Sequence, residues 1–333
     1  MAMHENEVVA TVEQVETLVS SQFPHWKDLP VRPLPIGGTD HALFRLGDEL
    51  VARMPRVDWA VDQAENDGRW LPYLAPHLPL PVPVPVALGE PGAGFPHPWS
   101  VVPWLPGETP TPENLELEQA AVDLAGFVRA LRAVPPGGGP PKTGTSRGTP
   151  LAGLDGYVRE SVVALGDRVD AAGVTRVWED ALDAAAYDGP PTWMHGDLLA
   201  GNLLCGNRRL SGVIDFGGLG LGDPAPDVTP AWILFEGRSR EAYRRELGCG
   251  DDEWRRGRGW ALAPALGGLV LLPGHLPALL RPGPAHHRRG AAGVPGLRAL
   301  IRPRRRAAAR AGCRRARSAG RARAACGGRP SAA

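Results

Sequence analysis

The sequence predicts a two-lobed α+β protein, with an antiparallel sheet and a helix in the N-terminal lobe and mainly helices in the C-terminal lobe. The chain has 333 residues, a length that suits two compact lobes. Short apolar runs around a Gly-Asp turn occupy the first hundred residues, and longer stretches with helical periodicity follow. We place the N-terminal lobe at residues 1–103, the C-terminal lobe at 104–269 and a tail at 270–333.

Hydrophobic periodicity predicts the individual elements in order. Gly47-Asp48 separates two short apolar runs and is typical of a chain reversal in a hairpin. Leu105-Pro106-Gly107 is a natural joint between the lobes. The predicted elements are a helix at 8–19, strands at 42–46 and 50–54, a helix at 58–75, a proline-restricted extended stretch at 80–86, a strand at 99–104, and helices at 115–134, 154–171 and 176–187.

Composition excludes several classes of protein. The longest apolar stretch, 260–272, is interrupted by Pro264, Gly267 and Gly268 and is shorter than the roughly 20 residues of a membrane-spanning helix. The acidic, amphipathic N-terminus lacks the features of a secretory signal. The four cysteines have no CxxC spacing, which favours reduced thiols over a disulfide or zinc framework. We therefore expect a cytoplasmic protein with no membrane partner.

The near-neutral net charge of +1 hides a division of the chain. All 36 acidic residues lie at or before Glu253, whereas 18 of the 37 basic residues follow it, so residues 1–253 carry −17 and residues 254–333 carry +18. An arginine-rich tail can bind nucleic acid through phosphates. We favour another hypothesis, that the reading frame changes near Leu269, because misread GC-rich DNA yields Arg, Ala, Gly and Pro with few acids.

Two short segments carry the residues suited to chemistry. The apolar run ending at Met194 leads into His195-Gly196-Asp197, and Asn202 follows Asp197 by five residues. A second apolar run ends in Asp215. Carboxylate and amide oxygens are the ligands that Mg²⁺ prefers, and phosphoryl transfer requires Mg²⁺ together with a carboxylate near the attacking hydroxyl. The order and spacing of these residues indicate a phosphotransferase.

This pattern resembles the aminoglycoside phosphotransferase family, relatives of the protein kinases that also include macrolide and choline kinases. Protein kinases have His-Arg-Asp, four residues and Asn, then Asp-Phe-Gly; here Gly196 replaces the Arg and the spacing is kept. The segments at 35–40, 78–83, 104–108 and 222–224 also look like family signatures, and the resemblance spans roughly residues 30–267. It implies a protein-kinase-like fold.

The resemblance also implies roles for individual residues. Asp197 would be the catalytic base, His195 would brace its loop, and Asn202 and Asp215 would hold Mg²⁺. The nucleotide, ATP or GTP, would be bound by the phosphate-covering loop and by backbone groups of the hinge at 101–105, although a plain hairpin turn and a plain buried strand explain those two segments equally well. The nucleotide-binding residues implied are Gly37, Gly38, Thr39, Arg53, Asp67, Val102 and Trp104.

One position departs from the family pattern, which often has a strand lysine on the α- and β-phosphates. Arg53 occupies that position, and its guanidinium can fork onto phosphate oxygens with altered geometry. Its acidic partner should come from the following helix, with Asp67 preferred and Glu65 as the competitor. A surface charge remains the alternative for either residue.

Several other polar residues have structural interpretations. Asp223 is expected to brace the catalytic loop or cap the next helix, and Asp227 to begin or face that helix. Cys205 is expected to be a small buried apolar residue. His41 could touch phosphate, but an exposed loop histidine is the preferred interpretation.

We therefore predict transfer of the nucleotide γ-phosphate to a small-molecule hydroxyl, with an aminoglycoside-type antibiotic as the first candidate acceptor. The alternatives are a metabolic kinase acting on choline, a sugar or an amino alcohol, and a catalytically impaired nucleotide-binding remnant. Nucleic-acid binding by the tail is the least favoured hypothesis. The sequence leaves the oligomeric state open.

Overall fold

The computed structural model describes residues 7–34 and 40–271. The tail at 270–333, apart from its first two residues, and the predicted nucleotide-binding residues Gly37, Gly38 and Thr39 lie outside the described residues. The described helices are α1 Val12–Gln22, α2 Gln63–Leu74, α3 Leu117–Ala133, α4 Asp155–Leu165, α5 Ala171–Leu182, α6 Pro230–Ile233, α7 Gly237–Leu247 and α8 Asp251–Leu271.

The described strands form one five-stranded sheet and two short pairs. The strands are β1 Val31–Pro33, β2 His41–Leu46, β3 Leu50–Pro55, β4 Ala87–Gly89, β5 Trp99–Pro103, β6 Thr192–Met194, β7 Leu203–Gly206, β8 Arg209–Val213 and β9 Gly220–Gly222. The large sheet is antiparallel with the order β1-β2-β3-β5-β4. Strand β6 pairs with β9, and β7 with β8, both antiparallel. The predicted α+β architecture is confirmed.

Helix α1 packs on one face of the large sheet. Its first turn is closed by a capping box, in which the Thr11 side chain accepts from the Gln14 amide and the Gln14 side chain accepts from the Thr11 amide. Val15, Leu18 and Val19 then bury against sheet residues that include Met54. The predicted helix is present but begins at Val12 and not at residue 8, because the capping box places its N-cap at Thr11.

Helix α2 connects the sheet to the larger apolar core. The predicted helix at 58–75 is interrupted, with a short 3-10 turn at Asp58–Ala60 before α2 begins at Gln63. The inward residues Trp70, Leu71 and Leu74 belong to the larger core, and the Trp70 ring lies 5.2 Å from that of Trp193. The α2 helix thereby holds strand β3 and the segment around β6 in a common framework.

Of the three helices predicted in the larger core, α3 agrees with its prediction at 115–134 to within two residues, whereas α4 and α5 differ. The sequence interpretation gives no bounds for α6, α7 or α8. Helix α4 ends at Gly166, whose φ of 49° is left-handed, so the predicted helix at 154–171 stops early. Helix α5 begins after Asp170, which accepts from the Gly173 amide, five residues before the predicted start. The prediction of a lobe boundary at 103/104 stays a prediction.

Helix α8 completes this core. Asp251, Asp252 and Glu253 in its first turn suit the positive end of the helix dipole. The helix packs against α4 and α5. None of the helices in 7–34 and 40–271 is both long and apolar enough to cross a membrane.

Candidate functional site

The loop that follows β6 contains His195-Gly196-Asp197. Gly196 has a φ of +79°, and a Cβ atom there would lie 2.8 Å from the Gly218 carbonyl oxygen. A Cβ atom at Gly218 would lie 2.6 Å from the His195 carbonyl oxygen. The two loops therefore touch through their backbones, and this close approach explains why glycine stands where protein kinases have arginine.

Asp227 holds the loop in this position. Its carboxylate accepts from the His195 amide at 2.9 Å and from the Gly196 amide at 2.7 Å, and the side chain is completely buried. Asp223 instead accepts from the Ala225 amide at 3.0 Å and pairs with Arg256 at 2.8 Å. Asp223 thus bonds to the first residue of the turn at Ala225–Val228 without being its N-cap, and the carboxylate that braces the catalytic loop belongs to Asp227.

His195 connects the loop to the segment before Asp215. Its Nδ1 accepts from the Asp197 amide at 3.1 Å, so the proton is assigned to Nε2, which donates to the Ile214 carbonyl at 3.2 Å. The ring also contacts that of Phe216, with centroids 4.6 Å apart. Complete burial keeps this side chain away from a substrate, so the geometry favours a positioning role.

Asp197 and Asn202 form one hydrogen-bonded unit. The Asn202 amide nitrogen donates to the Asp197 carbonyl at 2.8 Å and to its carboxylate Oδ2 at 3.0 Å. The Asn202 carbonyl accepts from the Ile214 amide at 2.9 Å, next to Asp215. Asp215 has a left-handed backbone with φ +63°, and 44% of its side chain is exposed. The predicted loop residues are thus assembled around an accessible carboxylate pair.

The oxygen atoms of this group fit a Mg²⁺ ion in chemical type. The nitrogen of Asn202 is committed to Asp197, which leaves its Oδ1 for a ligand beside the exposed Asp215 carboxylate. No cluster of three or more His, Cys, Asp or Glu side chains in metal-binding arrangement occurs within 7–34 and 40–271. Asn202 and Asp215 offer one amide oxygen and one carboxylate, and Mg²⁺ in proteins often uses one or two carboxylates with waters and substrate phosphates.

Arg53 on β3 and Asp67 on α2 form a buried ion pair. Arg53 Nη1 lies 2.7 Å from Asp67 Oδ2, and both side chains are nearly inaccessible to solvent. Burial raises the pKa of Asp67, and the charge of Arg53 and its hydrogen bond oppose that shift. Glu65 is exposed, so the choice between the two acids is decided for Asp67.

The second guanidinium nitrogen of Arg53 is directed at the segment around Asp215. Arg53 Nη2 lies 3.8 Å from Asp215 Oδ1. When the Gln63 amide is oriented with its oxygen inward, that oxygen accepts from Arg53 Nη2 at 3.0 Å and from the Gly217 amide at 2.8 Å. Arg53 therefore connects α2 with the segment that follows β8.

We expect an Arg53→Lys variant to lose about 1 kcal/mol of unfolding free energy and about fivefold in nucleotide affinity, because a lysine ammonium cannot span both partners as the planar guanidinium does. Urea denaturation and nucleotide titration measure the two quantities. Arg32→Lys, at an exposed position on β1, is the matched control and should change neither. Equal behaviour of the two variants would contradict the bridging role.

His41 is buried, so the prediction of an exposed loop histidine is wrong. It is the first residue of β2, and only 6% of its surface is accessible. The pKa of His41 is lowered to about 3, mainly by burial and also by the charge of Arg53, while the charge of Asp215 opposes the shift. The loop prediction failed because the strand begins one residue earlier than the apolar run.

His41 predicts a specific dependence of stability on pH. Between pH 6.5 and about 3 the unfolded chain binds a proton that the folded chain does not, so stability falls as the pH falls. From pH 6.5 to pH 5 the wild-type chain should lose about 2 kcal/mol more unfolding free energy than His41→Gln. Parallel urea titrations at the two pH values measure this difference, and parallel losses in both proteins would refute it.

The predicted hinge residues Val102 and Trp104 lie at the end of β5 and just beyond it. Val102 is buried and opposite Val51 on β3. The Trp104 amide donates to the Glu49 carbonyl at 2.7 Å, so it is not free for a nucleotide base. Its ring is 40% exposed and stacks under the Arg45 guanidinium at 4.0 Å. Any base contact at Trp104 would use its carbonyl group or its ring.

Arg147 is a site residue that the sequence interpretation missed. Its guanidinium Nη1 donates to Asp197 Oδ1, and about a third of its side chain is exposed. Arg147 lies between α3 and α4 in a segment without regular structure. A single arginine in such a segment carries no spacing signal, so only the folded chain reveals it.

Comparison with known proteins identifies the family of this chain. The model of the phosphotransferase enzyme family matches residues 30–260. Among curated proteins, none matches the chain significantly.

Three solved structures illustrate the likeness in fold. The GDP complex of wild-type aminoglycoside 2'-phosphotransferase-IIIa is 19% identical, with a TM-score of 0.61 and coverage of 78% of this chain and 91% of that one. The GDP and kanamycin complex of APH(2")-IIia is 21% identical, with a TM-score of 0.63 and coverage of 77% and 90%. The apoenzyme of a macrolide 2'-phosphotransferase from Brachybacterium faecium is 22% identical, with a TM-score of 0.55 and coverage of 77% and 90%. The chain therefore belongs to the phosphotransferase enzyme family and has its two-lobed, protein-kinase-like fold.

Proposed function

We propose that this phosphotransferase moves the γ-phosphate of ATP or GTP to a hydroxyl group of a small molecule, with Asp197 as the catalytic base. The observation that carries the proposal is the Asp197–Asn202 unit, which presents one oriented carboxylate beside the exposed Asp215. Phosphoryl transfer depends mainly on positioning and charge neutralisation, which such a group supplies.

In the proposed reaction the acceptor hydroxyl donates its proton to the Asp197 carboxylate. The hydroxyl oxygen forms a bond to the γ-phosphorus as the bond to the β-phosphate oxygen breaks. Asn202 keeps the carboxylate oriented through its amide nitrogen, and His195 with Asp227 keeps the loop backbone in place. Each of these contacts exists before the substrate binds, so little reorganisation is needed.

The nucleotide would lie between the large sheet and the loops that carry Asp197 and Asp215. Asn202 and Asp215 would hold Mg²⁺, which supplies charge neutralisation of the phosphates when bound. Arg53, fixed by Asp67, would contact the phosphates. Gly37, Gly38 and Thr39 would cover the phosphates, and Val102 and the Trp104 carbonyl would approach the base. We place the protein in the cytoplasm, where both nucleotides are available.

The acceptor that we propose is an antibiotic of the aminoglycoside or macrolide class. Two relatives in fold are phosphotransferases named for these substrates. The charge of −17 on residues 1–253 favours a cationic acceptor, such as an aminoglycoside or a macrolide with an amino sugar.

The test is a transfer assay with γ-labelled ATP and GTP against aminoglycosides, macrolides and amino alcohols. We expect labelled phosphate on a member of the first two classes and on none in the absence of protein. Transfer to an amino alcohol alone would favour the metabolic kinase. Tight nucleotide binding without any transfer would instead favour the catalytically impaired remnant.

A further inference from the structure

Arg147 contacts the carboxylate of the proposed base, and the preceding mechanism gives it no function. The guanidinium is permanently charged and donates directly to Asp197 Oδ1. It also lines the same small cavity as Asp197. About a third of the Arg147 side chain is exposed, so a bound acceptor or phosphoryl group can reach the guanidinium.

The segment that carries Arg147 is pinned along much of its length. The Lys142 amide donates to the Leu221 carbonyl at 2.9 Å, the Leu221 amide to the Pro140 carbonyl at 2.8 Å, and the Asp223 amide to the Gly148 carbonyl at 3.0 Å. This backbone bonding to β9 fixes the residues on both sides of Arg147. A cation held in place by such a framework is preorganised for one position.

Gly148 shows how closely the segment approaches the catalytic loop. Its φ is +92°, and a Cβ atom there would lie 2.5 Å from Met194 Sδ, in the strand that leads into His195. A side chain at this position would strain the backbone and displace the Met194 side chain. The backbone next to Arg147 therefore packs against the Met194 side chain, in the strand that leads to Asp197.

The other cation of the segment is committed elsewhere. Lys142 Nζ donates to the Gly218 carbonyl at 2.9 Å, and burial lowers the pKa of this lysine, with the charge of Arg147 lowering it further. Lys142 thus stabilises the turn after Asp215. Arg147 is the cation of this segment that reaches the base.

We infer that Arg147 is a further catalytic residue, which pairs with Asp197 in the resting enzyme and stabilises the transferring phosphoryl group in the transition state. The inference rests on the proposed function of Asp197 as base. The geometric observation that carries it is the direct contact between the two side chains at the wall of one cavity.

The charges balance in the proposed step. As the acceptor O–H bond breaks, its proton passes to Asp197, and the carboxylate loses the negative charge that held Arg147. The new O–P bond forms while the bond from phosphorus to the leaving diphosphate breaks. Negative charge on the phosphoryl oxygens is then available to the guanidinium, which can bind two oxygens side by side.

Binding of a transition-state analogue tests the inference without knowledge of the acceptor. The full-length protein is titrated with Mg²⁺ and ADP or GDP, with and without aluminium fluoride, which mimics the phosphoryl group in flight. We expect Arg147→Ala to bind the diphosphate within about twofold of wild type and the aluminium fluoride complex about 100-fold more weakly. The affinity of Arg147→Lys for the aluminium fluoride complex should lie between those of wild type and Arg147→Ala. Lysine keeps the positive charge but loses the paired N–H groups of the guanidinium.

The control is Arg208→Ala, which removes an exposed arginine paired with Glu116. It should leave both affinities unchanged. Analogue binding by Arg147→Ala within about threefold of wild type would overturn the inference, as would a wild-type protein that binds the analogue no more tightly than the diphosphate. The acceptor assay is read separately, so failure of the proposed function, seen as no transfer to any acceptor, remains distinct from failure of the role of Arg147.

Discussion

Asp197→Asn is expected to lower the rate of phosphoryl transfer by about 1,000-fold while nucleotide affinity and folding stay close to wild type. The substituted side chain has the same shape but cannot accept the proton of the acceptor hydroxyl. Asn202 and Arg147 donate to different oxygens of Asp197, so the one remaining side-chain oxygen keeps only one of these bonds. Asn202 also donates to the Asp197 backbone carbonyl, so the loop keeps most of its support. Single-turnover transfer with labelled nucleotide, alongside a nucleotide titration, measures both quantities.

The matched control for this variant is Asp167→Asn, at an exposed position after α4. It makes the same chemical change away from the site and should leave the transfer rate unchanged. A transfer rate in Asp197→Asn within about tenfold of wild type would show that another group takes the proton. Loss of nucleotide binding in the same variant would instead assign Asp197 to the nucleotide site.

The second large effect is expected at Asp227. Its completely buried carboxylate accepts from the amides of His195 and Gly196, and the Tyr243 hydroxyl donates to its carbonyl at 2.6 Å. In Asp227→Asn one oxygen becomes an NH₂ group that faces an amide N–H, so two donors oppose each other in a buried place. We expect a loss of about 3 kcal/mol in unfolding free energy.

The same variant should lower the transfer rate by about 100-fold, because the loop that carries Asp197 loses its anchor. Tyr243→Phe is the graded control: it removes only the bond to the Asp227 carbonyl and should cost about 1 kcal/mol with little change in rate. Urea denaturation and steady-state transfer distinguish the two variants. Equal stabilities for Asp227→Asn and wild type would exclude the bracing role.

Much of the framework could be predicted from local sequence. The hairpin around Gly47-Asp48 and helix α1 follow from short-range periodicity and turn chemistry, and both are present. The close spacing of Asp197 and Asn202 also survives folding as a direct hydrogen bond. Residues separated by five positions in a tight loop stay near each other in any compact arrangement, which is why this prediction needed no tertiary information.

The Arg53–Asp67 pair could be predicted only in part from the sequence. The sequence limited the acidic partner of Arg53 to two residues on one helix. Their burial decides between them, because Asp67 faces the sheet whereas Glu65 faces solvent. Glu65 and Asp67 are two positions apart in the helix, so their side chains point to different sides of α2. The rotation of the helix about its axis therefore determined the pair, and that rotation is set by packing of Trp70 and Leu71 in the core.

By itself, the sequence determined the two-lobed α+β fold, the family and the order of the residues around Asp197. Only the tertiary structure decided that Asp227 braces the loop, that His41 is buried and that Arg147 contacts the base. The physical reason is the range of the interactions. Turns, caps and periodic burial depend on residues a few positions apart. The other three features depend on residues from distant parts of the chain, whose positions are set by the packing of the whole molecule.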